Sequence, residues 1–203
     1  IRWLPGIVDE FTNAHPKVKL EFTCFEDQRT IEEGVLRGEF DCGFIVLPAR
    51  EKFFVIPLVQ DPIYVALAPH HPLAQEDFFP REALASEPYI KIRNPGYSEY
   101  DAVFDRHEVV PRTRFVMDND FAVMGMVNKG LGYSLFPKLI LRKAPFQLAR
   151  IELEIPTHRE LGIAMRSWDR ASMAAKAFVE TVRTWVAAWD ERVEFDERWD
   201  NLG

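Results

Sequence analysis

The stretch Val116–Pro137, VMDNDFAVMGMVNKGLGYSLFP, decides the fold class. Asp118, Asn119 and Asp120 stand ahead of an apolar run. Their oxygens suit the unpaired N–H groups of a first helical turn, and their charge suits the positive end of the helix dipole. Phe121, Ala122, Val123, Met124, Met126 and Val127 leave almost no polar face, which predicts a helix buried on most sides. Lys129 falls in the last turn, and Gly130 supplies the permissive position after it. Leu131–Phe136 reads as a short buried strand that Pro137 ends, and Pro137 can open another helical turn. Strand, acidic cap, helix, Gly turn and strand make one parallel α/β unit.

Working outward, Arg112–Met117 is the strand that feeds this helix. Before it come a short helix near Arg81–Ala85, a strand Tyr89–Arg93, a turn Asn94-Pro95-Gly96 and a helix over Ser98–His107. Val55–Ala68 reads as two strand-like pieces broken at Asp61-Pro62, and Pro69-His70-His71-Pro72 must be extended. At the start, Leu4, Ile7, Val8 and Phe11 follow the i, i+3, i+4, i+7 helical template, and the helix ends before Pro16. Lys17–Phe25 alternates Val18, Leu20, Phe22 and Cys24 with polar residues, which predicts a strand. A helix over Thr30–Arg37 closes at Gly38, and Asp41–Leu47 is an apolar strand of the kind found in parallel sheets covered on both faces. Downstream, Ile151–Ile155 and Leu161–Arg166 are strand-like. A final helix, about Ser172–Trp189, places Ala174, Phe178, Thr181, Trp185 and Ala188 on one stripe. The alternation of helix and strand is that of a doubly wound α/β protein.

Four motifs carry a family likeness: WLPGIVDEF at Trp3–Phe11, GEFDCGF at 38–44, APHHPLA at 68–74 and MVNKGLGYSLFP at 126–137. In that order they resemble the effector-binding domain of LysR-type transcriptional regulators, from Trp3 to about Phe178. The resemblance implies two Rossmann-like subdomains joined by two crossover strands, as in type 2 periplasmic binding proteins. The expected division is 1–68 plus 150–203 for subdomain I and 69–149 for subdomain II, with the last helix packed on the first. It further implies a small-molecule effector in the cleft between the domains, and homodimers or tetramers. DNA recognition would belong to an N-terminal winged helix-turn-helix outside this chain, roughly 90 residues long. Family members open this domain with a strand and turn ahead of the WLP-like helix, whereas this chain starts at Ile1. A transport-type solute-binding protein of the same fold is the rival reading.

Two turns are the expected ligand contacts. Asn94-Pro95-Gly96-Tyr97-Ser98 is a Pro-Gly turn leading into an N-cap serine. It reads either as an ordinary capped turn or as a helix start whose N–H groups bind a small anion. In LysR-type regulators the corresponding loop lines the effector cleft, so the resemblance points to Asn94, Gly96, Tyr97 and Ser98. On the other domain, Glu26, Asp27, Gln28 and Arg29 precede a helix at a strand's carboxyl end, where open α/β folds bind ligands. Small hydroxyl residues often stand near Gln28 in the family, so the larger amide and Arg29 depart from the pattern. The expected ligand is a small organic anion, a carboxylate, with Arg29 adding a charge-assisted bond if it points inward.

Other chemistries find little support. His70-His71 lacks further ligands at metal spacing, and consecutive side chains of an extended segment point apart, which favours a hinge over a metal site. Ser134 sits inside a predicted strand without a GxSxG elbow, and no phosphate- or dinucleotide-binding glycine motif is present. No catalytic residue and no cofactor is expected. Cys24 and Cys42 read as buried reduced thiols, with a disulfide between neighbouring strands as the alternative. The chain is 47% hydrophobic and 28% charged, ordinary for a globular protein, with no run of the ~18 apolar residues a membrane span needs. The opening IRWLPGIVDEF is no signal segment, which points to the cytoplasm. Of the net charge of −7, residues 190–203 carry −4, with six acids and two arginines. The remaining body has no basic stripe to match a phosphate backbone. That acidic tail is expected to be an exposed or partner-contacting extension anchored by Phe195 and Trp199, with disorder as the alternative.

Overall fold

The computed structural model describes residues 3–25, 27–93, 98–142 and 144–188. In chain order the elements are α1 (Leu4–Ala14), α2 (Gln28–Arg37), β1 (Gly43–Leu47), β2 (Phe54–Leu67), a 3-10 turn (Pro72–Gln75) and β3 (Phe78–Phe79). Then follow α3 (Arg81–Ser86), β4 (Pro88–Ile92), α4 (Glu99–His107), β5 (Arg112–Met117) and α5 (Asp120–Asn128). The last are β6 (Ser134–Pro137), α6 (Lys138–Leu141), β7 (Ala149–Leu153), β8 (His158–Met165) and α7 (Met173–Ala187). Asn94, Pro95, Gly96, Tyr97, Glu26 and the tail 190–203 lie outside the described residues.

The chain forms two compact units, one from residues up to Gln60 together with those from Glu160, the other Asp61–Arg159. It passes between them inside β2 and returns inside β8. The sequence-based boundaries at 68/69 and 149/150 stand elsewhere, at a Pro-flanked turn and at a strand start. The first passage falls at Asp61-Pro62, which in sequence reads as a break between strands and not as a domain boundary. β2 is also one strand, not two pieces. Pro62 gives no N–H, but Ile63 resumes the bonding by donating to the Thr157 carbonyl at 2.8 Å, and the Asp61 side chain has partners of its own.

In the Asp61–Arg159 unit, β4 pairs in parallel with β5, and a parallel bridge joins Tyr89 to Tyr133 just ahead of β6. β6 and β7 pair antiparallel with β2, and β3 lies parallel to β7. The parallel α/β unit expected from the opening stretch is therefore present. Asn119 caps α5 by accepting from the Ala122 N–H, and Gly130 takes φ 74° to close it. A Cβ on Gly132 would collide with the Pro88 carbonyl oxygen, so β6 can approach β4 only through glycine. The core centres on Tyr133, whose hydroxyl donates to the Leu84 carbonyl at 2.6 Å and whose ring lies 5.1 Å from both Phe79 and Tyr89. α5 departs from expectation in burial. Val123, Met124 and Val127 are buried, but Phe121 is 59% exposed, because this nine-residue helix packs on the strands by one face.

In the other unit, β1 runs antiparallel to β8, with Gly43 opposite Ala164 and Leu47 opposite Glu160, not in the parallel sheet its apolar run suggests. α1 packs on α7, with Phe11 edge-on to Phe178 at 5.3 Å between centroids. The buried face of α7 is Ala175, Phe178, Val179, Val182, Trp185 and Val186, so Ala174 and Thr181 flank it instead of centring it. Residues 17–25 form no strand. The alternation is present, but no described strand pairs with this backbone, and a strand requires a ladder partner. Phe22 and Phe25 lean on Phe178 and Phe40 while remaining exposed. Cys24 is accordingly exposed, not buried, and both cysteines are free. Burial, with Asp41 nearby, pushes the Cys42 thiol up to about 12.

Candidate functional site

α4, α5 and α6 each begin just beyond the carboxyl ends of β4, β5 and β6, the side on which open α/β sheets bind ligands. Ser98 caps α4 in a reciprocal arrangement. Its hydroxyl accepts from the Asp101 N–H, while the Asp101 carboxylate accepts from the Ser98 N–H at 2.9 Å and from its hydroxyl at 2.8 Å. Lys91, on β4, reaches the other Asp101 oxygen at 3.2 Å. Burial alone would raise the Asp101 carboxyl, but the Ser98 donors and Lys91 together hold it below its ordinary value.

The same strand ends carry a cluster that the sequence reading missed. Arg159 donates through Nε and Nη2 to one Asp61 oxygen, at 3.1 and 3.0 Å, and through Nη1 to Glu99 at 3.1 Å. The other Asp61 oxygen accepts from the Leu139 N–H at the start of α6. Asp120, the first residue of α5, faces the same guanidinium electrostatically. Burial drives Asp61 and Asp120 above their ordinary values, with the charge of Glu99 adding to the rise and Arg159 pulling against it. The members lie 98 and 60 positions apart in sequence, and no motif joins them. The available signal is Asp61 itself, a lone acid inside VIPLVQDPIYVALA, which needs a buried partner.

In the other unit, Asp27 caps α2 by accepting from the Arg29 N–H at 3.0 Å. Gln28 is fully engaged within the fold. Its amide nitrogen donates to buried Glu32 at 2.7 Å and to the Val46 carbonyl at 2.9 Å, and its oxygen accepts from the Val46 N–H at 2.7 Å. It is a strut between α2 and β1. Arg29 is exposed and lies 3.6 Å from Asp27 and 3.9 Å from Glu33. Of the seven expected contact residues, Asp27, Gln28, Arg29 and Ser98 are thus placed at helix starts, and Asn94, Gly96 and Tyr97 fall outside the described residues. His71 accepts from the Leu73 N–H through Nδ1 to start the 3-10 turn, and Ser134 donates to the Ile90 carbonyl at 2.8 Å.

Two α/β units joined by two strands that run through both, with helix starts at the strand ends, define the type 2 periplasmic-binding-protein-like class. Residues 1–187 match the LysR substrate binding domain, and this chain belongs to that family. It is 27% identical over 187 residues to the uncharacterized HTH-type transcriptional regulator YvbU of Bacillus subtilis, covering 89% of this chain and 62% of that regulator. Among solved structures, the BenM effector binding domain with its effector benzoate matches with a TM-score of 0.79 at 22% identity, over 93% of this chain and 87% of that one. The effector binding domain of QuiR in complex with shikimate matches with a TM-score of 0.75 at 23% identity, over 91% and 90%. The family is one of transcriptional regulators, which is not an enzyme class, and this favours the regulator over a transport protein of the same fold. No helix among the described residues is long and apolar enough to cross a membrane.

Proposed function

We propose that this chain is the effector-sensing part of a cytoplasmic transcription regulator. A small organic carboxylate bound to it shifts the population of conformations and so the output of a DNA-binding domain that lies outside this chain. The single observation that carries the reading is the family match over residues 1–187. The two structural neighbours named with benzoate and shikimate bind carboxylates, which supports the ligand class. At the start of α4 the Ser98 N–H and hydroxyl donate to the Asp101 carboxylate, so a bound carboxylate takes these donors in competition with Asp101. The proposed contacts are Asn94, Gly96, Tyr97 and Ser98 on one unit and Asp27 and Arg29 on the other. Gln28 acts there through the α2–β1 strut it forms. The intact regulator is proposed to be a homodimer or tetramer that reads DNA through a winged helix-turn-helix. A ligand can shift such a population only by its differential affinity for the two states.

Isothermal titration of the chain against a carboxylate library that includes benzoate and shikimate is the test. At least one member should bind, and Ser98→Ala and Gly96→Leu should each weaken it several-fold while the melting temperature of Gly96→Leu stays near that of the parent. A bound carboxylate whose affinity both variants leave unchanged places the site elsewhere. Binding confined to uncharged or cationic molecules overturns the ligand class.

A further inference from the structure

The fold places Arg159 where two otherwise separate features meet. Glu99 is the first residue of α4, directly after the Ser98 cap. Asp61 lies on β2, at the point where the chain enters the Asp61–Arg159 unit, and Arg159 is the last residue before it leaves. Asp61 is 1% exposed and the Arg159 side chain 13%, so the pair is shielded from solvent competition. The guanidinium is a rigid plane whose donors keep fixed directions. With Nε and Nη2 committed to Asp61 and Nη1 to Glu99, neither carboxylate can move sideways without turning the plane that holds the other. Asp61 is in turn oriented from behind by the Leu139 N–H, so the plane also reports on the start of α6. An arrangement of this kind is a poor way to gain stability alone, because well-packed apolar side chains of similar volume do as well or better.

We infer that Arg159 is a positioning residue that locks the start of α4 to β2, so that displacement at the Ser98–Glu99 helix start is passed to the strand through which the chain enters this unit from the other one. Its role in signalling rests on the proposal that Ser98 contacts the effector. The coupling itself is a property of the protein without ligand and is measured that way.

Hydrogen–deuterium exchange on the 203-residue chain, read by NMR, supplies the test. Glu99→Gln keeps side-chain size and leaves the Asp61–Arg159 pair in place. It should accelerate the first-turn amides of α4 and, in step with them, the amides of Ile63 on β2 and Leu139 on α6, each by about fivefold or more. Arg159→Lys supplies a point charge without the planar fork and should produce the same joint acceleration. Amides of β5 should keep their parent rates in both variants, which separates the effect from general loosening. Faster exchange in α4 with unchanged Ile63 and Leu139 overturns the inference, as does an unchanged profile throughout. Full wild-type protection in Arg159→Lys also overturns it, since a plain charge would then suffice. Because no ligand enters the measurement, failure here is distinct from failure of the effector reading.

Discussion

Ser98 holds the start of α4 through a capping box whose other half is the Asp101 carboxylate. Removing the hydroxyl in Ser98→Ala should cost about 1 kcal/mol in urea unfolding at neutral pH. The pH dependence has a definite sign. Asp101 sits below its ordinary 3.8 in the folded protein, so the unfolded chain binds more protons in that window. Its contribution is fully present above the ordinary value and is lost as the pH falls through the folded one. The stability gap between parent and Ser98→Ala should therefore be flat above the ordinary carboxylate range and narrow below it. A gap that widens on acidification would show that Asp101 is not the partner that matters. Gln28 shows what the residue scale hides from sequence. As a polar residue at a strand-to-helix turn it reads as a ligand contact, yet all its described bonds go to Glu32 and Val46.

At the scale of elements, the approach of β6 to β4 depends on the two glycines after α5. Gly130 turns the chain at φ 74°, and Gly132 passes against the Pro88 carbonyl, where a Cβ has no room. The clash is with backbone, which cannot swing aside as a side chain can. Gly132→Ala should destabilise the chain by about 2 kcal/mol, read as a lower urea midpoint with an unchanged m-value. A neutral effect would mean that β4 and β6 separate at little cost. The helix and strand boundaries in this region were legible because caps, periodicity and glycines act locally. Residues 17–25 were misread for a related reason: their alternation is local too, but a strand exists only with a pairing neighbour.

At the scale of the whole molecule, we propose that DNA recognition belongs to a part of the regulator outside this chain. The formal charge of −7 gives the chain no electrostatic drive towards a phosphate backbone. In a gel shift at physiological salt the chain alone should leave the proposed regulator's operator unshifted, while a protein that also carries the proposed winged helix-turn-helix should shift it. Retardation by the chain alone would relocate the DNA-binding function. The division into units is likewise a molecular property. It falls at Gln60/Asp61 and Arg159/Glu160, each inside a continuous strand.

From the sequence alone came the α/β class, the family likeness, the run of elements from α3 to α6 and the capping role of Ser98. Each of these rests on interactions between residues a few positions apart, or on motifs read in order. Tertiary structure alone decided the antiparallel setting of β1, the exposure of Phe121, the continuity of β2 and the meeting of Asp61, Glu99 and Arg159. These depend on which distant segments share a surface. Hydrophobic pattern marks a face as buried without naming its neighbour, and a guanidinium 98 positions from its carboxylate leaves no periodic trace.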